Sequence, residues 1–298
     1  MSLTKKSEPG KISLDRHGRP KPPSKTGKTL GMLLCLAIII FAFVQVDARW
    51  ERLPDFITES PQYFQLMSQG LFNNPFIEPT DRFWTQALRA MFESLQMAWI
   101  GTLIGAALSF PISFLAASNI APKPVVFVTR QILNVIRAIP ELILAVAVMM
   151  PIFGPGPLAG AIALGIGSIG TLGKLSSEVI ESIQPGPVES VESSGAKRAQ
   201  VLRWAIVPQV LPEIVAFWLY RFEINIRAGA ILGVLGAGGV GTLLSQLFGQ
   251  RLWERIGITL IVIIVVTMII DQISGRIRAR IISGDPNAKL VTSEADAA

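Results

Sequence analysis

Six apolar stretches, each about as long as a lipid bilayer is thick, run through this chain: residues 30–46, and about 91–117, 125–150, 157–183, 210–235 and 255–273. Crossing the hydrocarbon takes roughly 17–25 apolar residues in a helix. There every backbone N–H and C=O must be satisfied within the spanning element, which a helix achieves on its own. Prolines separate most of the runs: Pro122 and Pro124, Pro151 and Pro155, Pro185 and Pro187, Pro208 and Pro212. The pattern predicts an all-α membrane protein with about six transmembrane helices.

Charge supports the same reading. Half of the 298 residues are apolar and only 16% are charged, against about 25% in soluble domains. Eight Lys and Arg residues precede residue 29, in a tail rich in Pro, Ser and Gly that reads as disordered. Six spans place that tail on one side, together with Lys123 and Arg130, Lys197, Arg198 and Arg203, and Arg276, Arg278 and Arg280. Residues 47–85 carry six acids against three arginines and fall on the other side. The positive-inside rule then makes both termini cytoplasmic in a multi-pass protein of the inner cell membrane. The aromatic and Pro content of residues 47–85 predicts short segments at the interface. A rival reading of the first run is a cleaved signal peptide, with Val46-Asp47-Ala48 as its cleavage site. The apolar run is longer than the usual signal core of about 7–15 residues.

Several chemistries are excluded by counting. The net charge of +6 does not point to nucleic acid, because the basic residues flank spans and no basic recognition motif is present. The single cysteine, Cys35, permits no internal disulfide, and the single histidine, His17, lies in the tail. A catalytic zinc site or a Ser-His-Asp triad is therefore not expected, and no cofactor or metal is expected to be bound by this chain. Gly165–Gly170 and Gly236–Gly241 both match G-x-G-x-x-G literally. A dinucleotide site requires a preceding strand in a βαβ unit, whereas these lie in or beside apolar spans. No phosphate loop of the Walker type exists in the chain.

Small residues recur within spans, as in Gly101-x-x-x-Gly105, Gly167, Gly170 and Gly173, and Gly229-x-x-x-Gly233. Such residues allow close helix packing in lipid, either within one subunit or at a dimer seam. Three opposite-charge pairs are spaced i,i+4: Arg137 with Glu141, Lys174 with Glu178, and Glu223 with Arg227. A charge at a span centre costs about 2.5–3.5 kcal/mol, so six of them require compensation. They serve either as mutual neutralisers between helices or as lining for a pathway in which Arg137 and Arg227 assist an anion.

The loop between the fourth and fifth spans is the most informative segment. Pro187 suits a first helical turn, and Glu189 and Glu192 near that end favour the helix dipole. Val188, Val191, Gly195, Ala199 and Leu202 fall at helical spacing and form one stripe. Taken alone, this predicts an amphipathic helix lying on the membrane surface.

Glu189-Ser190-Val191, followed by Gly195 and Pro208, resembles the E-A-A loop of ABC importer permeases. The spacing fits without gaps, with Ser190 and Val191 for the two alanines, Ala205 for Ile and Val207 for Leu. Arg137-Ala-Ile-Pro-Glu-Leu142, Gly170-Thr-Leu-Gly-Lys174 with Glu178, Tyr220–Arg227, Gly233–Gly241 and Asp271 resemble the phosphonate-importer permease family over roughly residues 79–281. The resemblance implies the type I importer (MetI-like) permease fold. It divides the chain into a basic tail (1–29), a first transmembrane helix (30–46), an extracytoplasmic segment (47–85), a permease core (86–281) with a coupling loop over 184–209, and a C-terminal cytoplasmic tail (282–298).

The implied function is passage of a phosphonate or related phosphorus oxyanion, with phosphate, phosphite or methionine as rival cargoes. A stand-alone secondary transporter or channel, or a membrane enzyme, is the alternative from another class. The implied partners are a dimer of an ABC ATPase that uses ATP and Mg, an extracytoplasmic substrate-binding protein, and a second permease that is either a copy or a paralogue. Coupling to the ATPase would fall to Glu189, Glu192, Gly195, Lys197, Arg198 and Pro208. The pathway or gate would involve Arg137, Glu141, Lys174, Glu178, Glu223, Asn225, Arg227, Gly236, Gly238 and Gly239.

Overall fold

The computed structural model describes residues 26–45, 53–72 and 80–283. By internal contacts the chain divides at Ser60. The first unit contains α1 (Thr26–Gln45). Its 20 residues extend about 30 Å, the thickness of the hydrocarbon core. Large apolar side chains such as Leu30, Met32, Ile39 and Phe41 are exposed. A helix that is apolar all round and has no polar face is built to be surrounded by lipid.

The second unit is a helical bundle built on α3 (Thr80–Ala116), α7 (Pro157–Glu181), α10 (Val207–Leu232) and α12 (Trp253–Ser283). Five helices among the described residues, counting α1, are long and apolar enough to cross a membrane. The sixth apolar stretch is a bent pair. α4 (Lys123–Ala138) meets α5 (Glu141–Leu144), which runs through a π-turn at Ala145–Met149 into α6 (Met150–Phe153), with an 83° bend between the two halves. The residues expected as one run over 125–150 are therefore two segments. Pro140 is the reason: it pushes the residue before it out of the helical region, and Ile139 lies at φ −86° and ψ 117°.

The centre of the bundle is the α3–α7 contact, which small residues bring close. A Cβ on Gly101 would sit 2.8 Å from Leu164 Cβ and 2.9 Å from the Ala161 carbonyl oxygen. Gly105 faces Gly165 and Ser168 in the same way, one turn along. The Gly101-x-x-x-Gly105 pair thus serves packing inside one subunit.

Residues expected as short interfacial pieces instead include one 20-residue helix, α2 (Leu53–Phe72). Its later part packs on α12, where Gly70 meets Glu254 and Gly257 meets Met67. At the far end of α10 the chain kinks at Gly236, within Gly233–Ala237, before α11 (Gly239–Gly249), a helix the apolar pattern did not reveal. Gly236, Gly238 and Gly239 all have φ between 66° and 101°, a region that disfavours a Cβ. Hydroxyls satisfy the freed backbone. Gly238 N–H donates to Thr242 Oγ1 (3.0 Å), Thr242 Oγ1 donates to the Gly233 carbonyl (2.7 Å), and Val240 N–H donates to Ser94 Oγ (2.9 Å). No strand occurs among the described residues, and Gly165–Gly170 lies inside α7, so neither glycine motif is a dinucleotide loop.

Candidate functional site

Between α7 and α10 the chain leaves the bundle as α8 (Pro185–Ser193) and returns through α9 (Arg198–Val201) and a π-turn at Leu202–Ile206. The stripe expected from Val188 to Leu202 is not one helix. α8 stops at Ser193, and Gly195 sits at φ 81° with its N–H donating to the Glu192 carbonyl (2.9 Å), a left-handed helix ending. The Lys197 N–H then donates to Gln200 Oε1 (2.8 Å), which caps the start of α9. The stripe survives as packing. Val188 and Val191 join Val201, Leu202 and Ile206 in an apolar cluster whose fully buried members include Ile180, Val210 and Ile214.

The side chains assigned to coupling lie outside that cluster. Glu189, Glu192, Gly195, Lys197, Arg198 and Pro208 are all exposed. Glu189, Glu192 and Arg198 line an open cleft of ≈ 620 Å³ whose floor is Ile120, Ile183, Val188 and Val201. The cleft is fastened to three other helices at its base. Glu181 Oε1, at the end of α7, accepts from the Ser118 backbone N–H and from Arg130 of α4. Arg130 Nε also donates to the Ala116 carbonyl (2.9 Å), and Asn119 Nδ2 donates to the Ile180 carbonyl (2.7 Å). These bonds join the ends of α3 and α7 to α4, and the apolar cluster packs α8 and α9 against α7 and α10. Sequence reasoning missed Glu181, Ser118 and Asn119, because partners 51 to 63 residues apart leave no local pattern.

A second polar site lies within the spans. α10 carries Arg221 and Asn225 on one face and Glu223 and Arg227 on another, each set one helical turn apart. The first face meets α7, α3 and α5. Asn225 Nδ2 donates to Thr102 Oγ1 (2.9 Å) and Ser168 Oγ (3.1 Å), Arg221 Nε donates to Ser168 Oγ (2.9 Å), and Arg221 Nη2 donates to Glu141 Oε1. The second face meets α12. Arg278 donates to Glu223 (2.8 Å), and Arg227 donates to Asp271 (2.5 Å).

Two of the three expected i,i+4 pairs are therefore replaced. Glu141 pairs with Arg221 because the bend at Pro140 takes it off the face that carries Arg137. Arg137 is exposed and donates to Asn134 instead (3.3 Å). Glu223 and Arg227 do share a face, but antiparallel α12 offers each a closer partner. Lys174 and Glu178 pair as expected (3.1 Å). Gly236, Gly238 and Gly239 form the break at the opposite end of α10 from the cleft. Arg221, Ser168 and Thr102 were not singled out from sequence. The signal available for Arg221 was an arginine one turn before an Asn within an apolar span.

Comparison with known proteins places the chain in a family. The family described as binding-protein-dependent transport system inner membrane component matches residues 109–282. The phosphate-import permease protein of Mycolicibacterium smegmatis is 40% identical over 216 residues, covering 72% of this chain and 40% of that protein. The chain thus spans well under half the length of that relative. The phosphite transport system permease protein of Stutzerimonas stutzeri is 38% identical over 192 residues, covering 64% of this chain and 70% of that one. The inward-facing methionine ABC transporter shares the fold, with a TM-score of 0.60 and 22% identity over 69% of this chain and 99% of that chain.

Proposed function

The chain belongs to the binding-protein-dependent transport system inner membrane component family, and on that premise we propose that it forms the pathway of an ATP-driven importer for a phosphonate or related phosphorus oxyanion. The observation that carries this reading is the exposed α8–α9 loop beside an open cleft, fastened at its base to α3, α4 and α7. A rigid corner of this kind is what a separate motor subunit needs in order to move the spans. The cargo class draws its support from the phosphate- and phosphite-permease relatives.

On this reading α8 docks in a groove of an ABC ATPase, which holds and hydrolyses ATP with Mg. Glu189, Glu192, Lys197 and Arg198 supply the charged rim, and Gly195 leaves room for close approach. The loop end of the bundle is cytoplasmic, and the basic residues there follow the positive-inside rule. The glycine break at Gly236–Gly239 then faces outward, toward a binding protein that delivers the cargo. A second permease, identical or paralogous, completes the pathway. Transport is a shift between two packings of the bundle. The Pro140 bend, the π-turns at Ala145–Met149 and Leu202–Ile206 and the kink at Gly236 are the local weak points where helices repack. Arg137, exposed before the bend, is assigned to the pathway.

Reconstitution of the chain with its ATPase and binding protein in proteoliposomes tests the proposal. Uptake of phosphite, methylphosphonate or phosphate should require both ATP and the binding protein. Uptake that persists without ATP would instead identify a secondary transporter, and uptake of methionine alone would remove the phosphorus assignment.

A further inference from the structure

Arg221 is only 7% exposed, and it lies against Ser168, the twelfth residue of the 25 in α7. At about 1.5 Å per residue the guanidinium is then roughly 17 Å or more from either end of that helix, which puts it near the middle of the span. A buried charge at such a depth is retained only where it is paired or where it has work to do. Its pairing is incomplete. A guanidinium has five N–H donors, and among the described residues two are used, one on Ser168 and one on Glu141. No guanidinium nitrogen of Arg221 is both sealed from solvent and unpaired. Nη1, which has no partner among the described residues, therefore keeps some exposure to solvent.

The partner is also unusual for a purely structural pair. The Glu141 side chain is 23% exposed, three times as open as the arginine that it neutralises. It begins α5, immediately after Pro140 and the 83° bend. Its seat on α7 is made by a glycine. A Cβ on Gly167 would lie 2.7 Å from Glu141 Oε1, so only Gly lets the carboxylate rest there. Behind the guanidinium, Ser168 also accepts from Asn225, whose amide is held by Thr102, and this fixes the Arg221 rotamer from below.

We infer that Arg221, oriented by Ser168 and Asn225, forms a mid-span binding site for a tetrahedral oxyanion, and that the Glu141 carboxylate is a built-in competitor that cargo displaces. This inference rests on the importer reading and adds to it the residue that contacts the cargo. The planar fork of an arginine matches the oxygens of a phosphoryl or phosphonyl group in a bidentate way that a lysine cannot. A carboxylate in the same position keeps the site closed to stray anions and gives the guanidinium a charge to return to once the cargo has left. Exchange of one anion for another leaves the net charge at mid-span low throughout, so the site need never hold an unpaired cation in lipid.

The test uses the permease assembled with its ATPase in nanodiscs, without binding protein, and measures equilibrium binding of radiolabelled inorganic phosphate. Removal of a competitor that occupies the site nine-tenths of the time raises apparent affinity about tenfold, and Glu141→Gln should show a gain of that order. Gly167→Ala, which pushes the carboxylate off its seat without touching either charge, should show a smaller gain. Arg221→Gln should abolish binding. Should Arg221→Gln fail to assemble, Arg221→Lys, which keeps the charge but loses the fork, should bind more weakly than the wild type. Unchanged or weaker phosphate binding by an assembled Glu141→Gln complex would overturn the inference and leave a structural ion pair. ATP-driven uptake of the phosphorus oxyanions by the wild-type system, measured in parallel, separates the two levels. Uptake without the binding changes removes only this site, whereas no uptake removes the cargo assignment with it.

Discussion

Glu223 on α10 is bonded to Arg278 on α12 at 2.8 Å, 55 residues along the chain, and not to Arg227 one turn away on its own helix. Arg227 in turn reaches Asp271 of α12 at 2.5 Å. Two charges that look like an internal pair are thus two clasps between antiparallel helices.

The clasps make a charge-swap experiment informative. The double variant Glu223→Arg with Arg227→Glu would preserve an i,i+4 pair. In the bundle it places Arg against Arg278 and Glu against Asp271. Thermal unfolding in detergent should show a loss of about 2 kcal/mol or more, mostly from the buried Glu223 site, because the Arg227–Asp271 pair is more exposed and screened. Adding Arg278→Glu and Asp271→Arg should recover most of that loss. A double variant as stable as wild type would mean that the clasps contribute nothing.

Gly195 separates folding from docking. A Cβ there meets nothing within 4 Å, and the only intrinsic cost of a side chain is the left-handed backbone at φ 81°. That cost is about 1–2 kcal/mol for an L-residue, borne in an exposed turn. Gly195→Trp should therefore insert and fold while losing ATPase co-purification and uptake. Normal co-purification and uptake would show that the loop does not dock. Glu189→Ala should weaken ATPase association without affecting unfolding temperature.

The α3–α7 seam should be intolerant of volume. Gly101→Leu would drive a side chain into Leu164 and the Ala161 carbonyl. Overpacking of this kind costs about 1–3 kcal/mol, visible as a lowered unfolding temperature. Gly27→Leu, in α1 where a Cβ meets nothing within 4 Å, should leave it unchanged.

Sidedness follows from the same assignment. In a Cys35→Ala background, a cysteine at position 60 should react with an impermeant reagent in intact cells. One at position 197 should react only after permeabilisation. The reverse pattern would invert the topology.

Glu181 provides a test of transmission. It joins α7 to the Ser118 turn and to Arg130 of α4. Glu181→Gln keeps the hydrogen-bonding shape but removes the charge from the corner. ATP hydrolysis by the assembled complex should continue while uptake per ATP falls. An unchanged transport-to-hydrolysis ratio would assign the corner to stability alone.

Local sequence alone determined the membrane class, the positions of the apolar stretches and the place of the loop, because each depends on residues close together in the chain. Apolar runs match a bilayer thickness whatever they pack against, and Pro140, Gly195 and Gly236–Gly239 act on their own backbone. The i,i+4 rule likewise found Lys174 with Glu178, a pair within one unbroken helix. It failed for Glu141 and Glu223, whose partners were decided by an 83° bend and by the approach of α12. Only the folded bundle placed Arg221 opposite Glu141, 80 residues away, with Ser168 and Asn225 beneath it. Charge pairing in a low-dielectric core goes to whichever opposite charge packing brings nearest, and that is a property of how the helices meet.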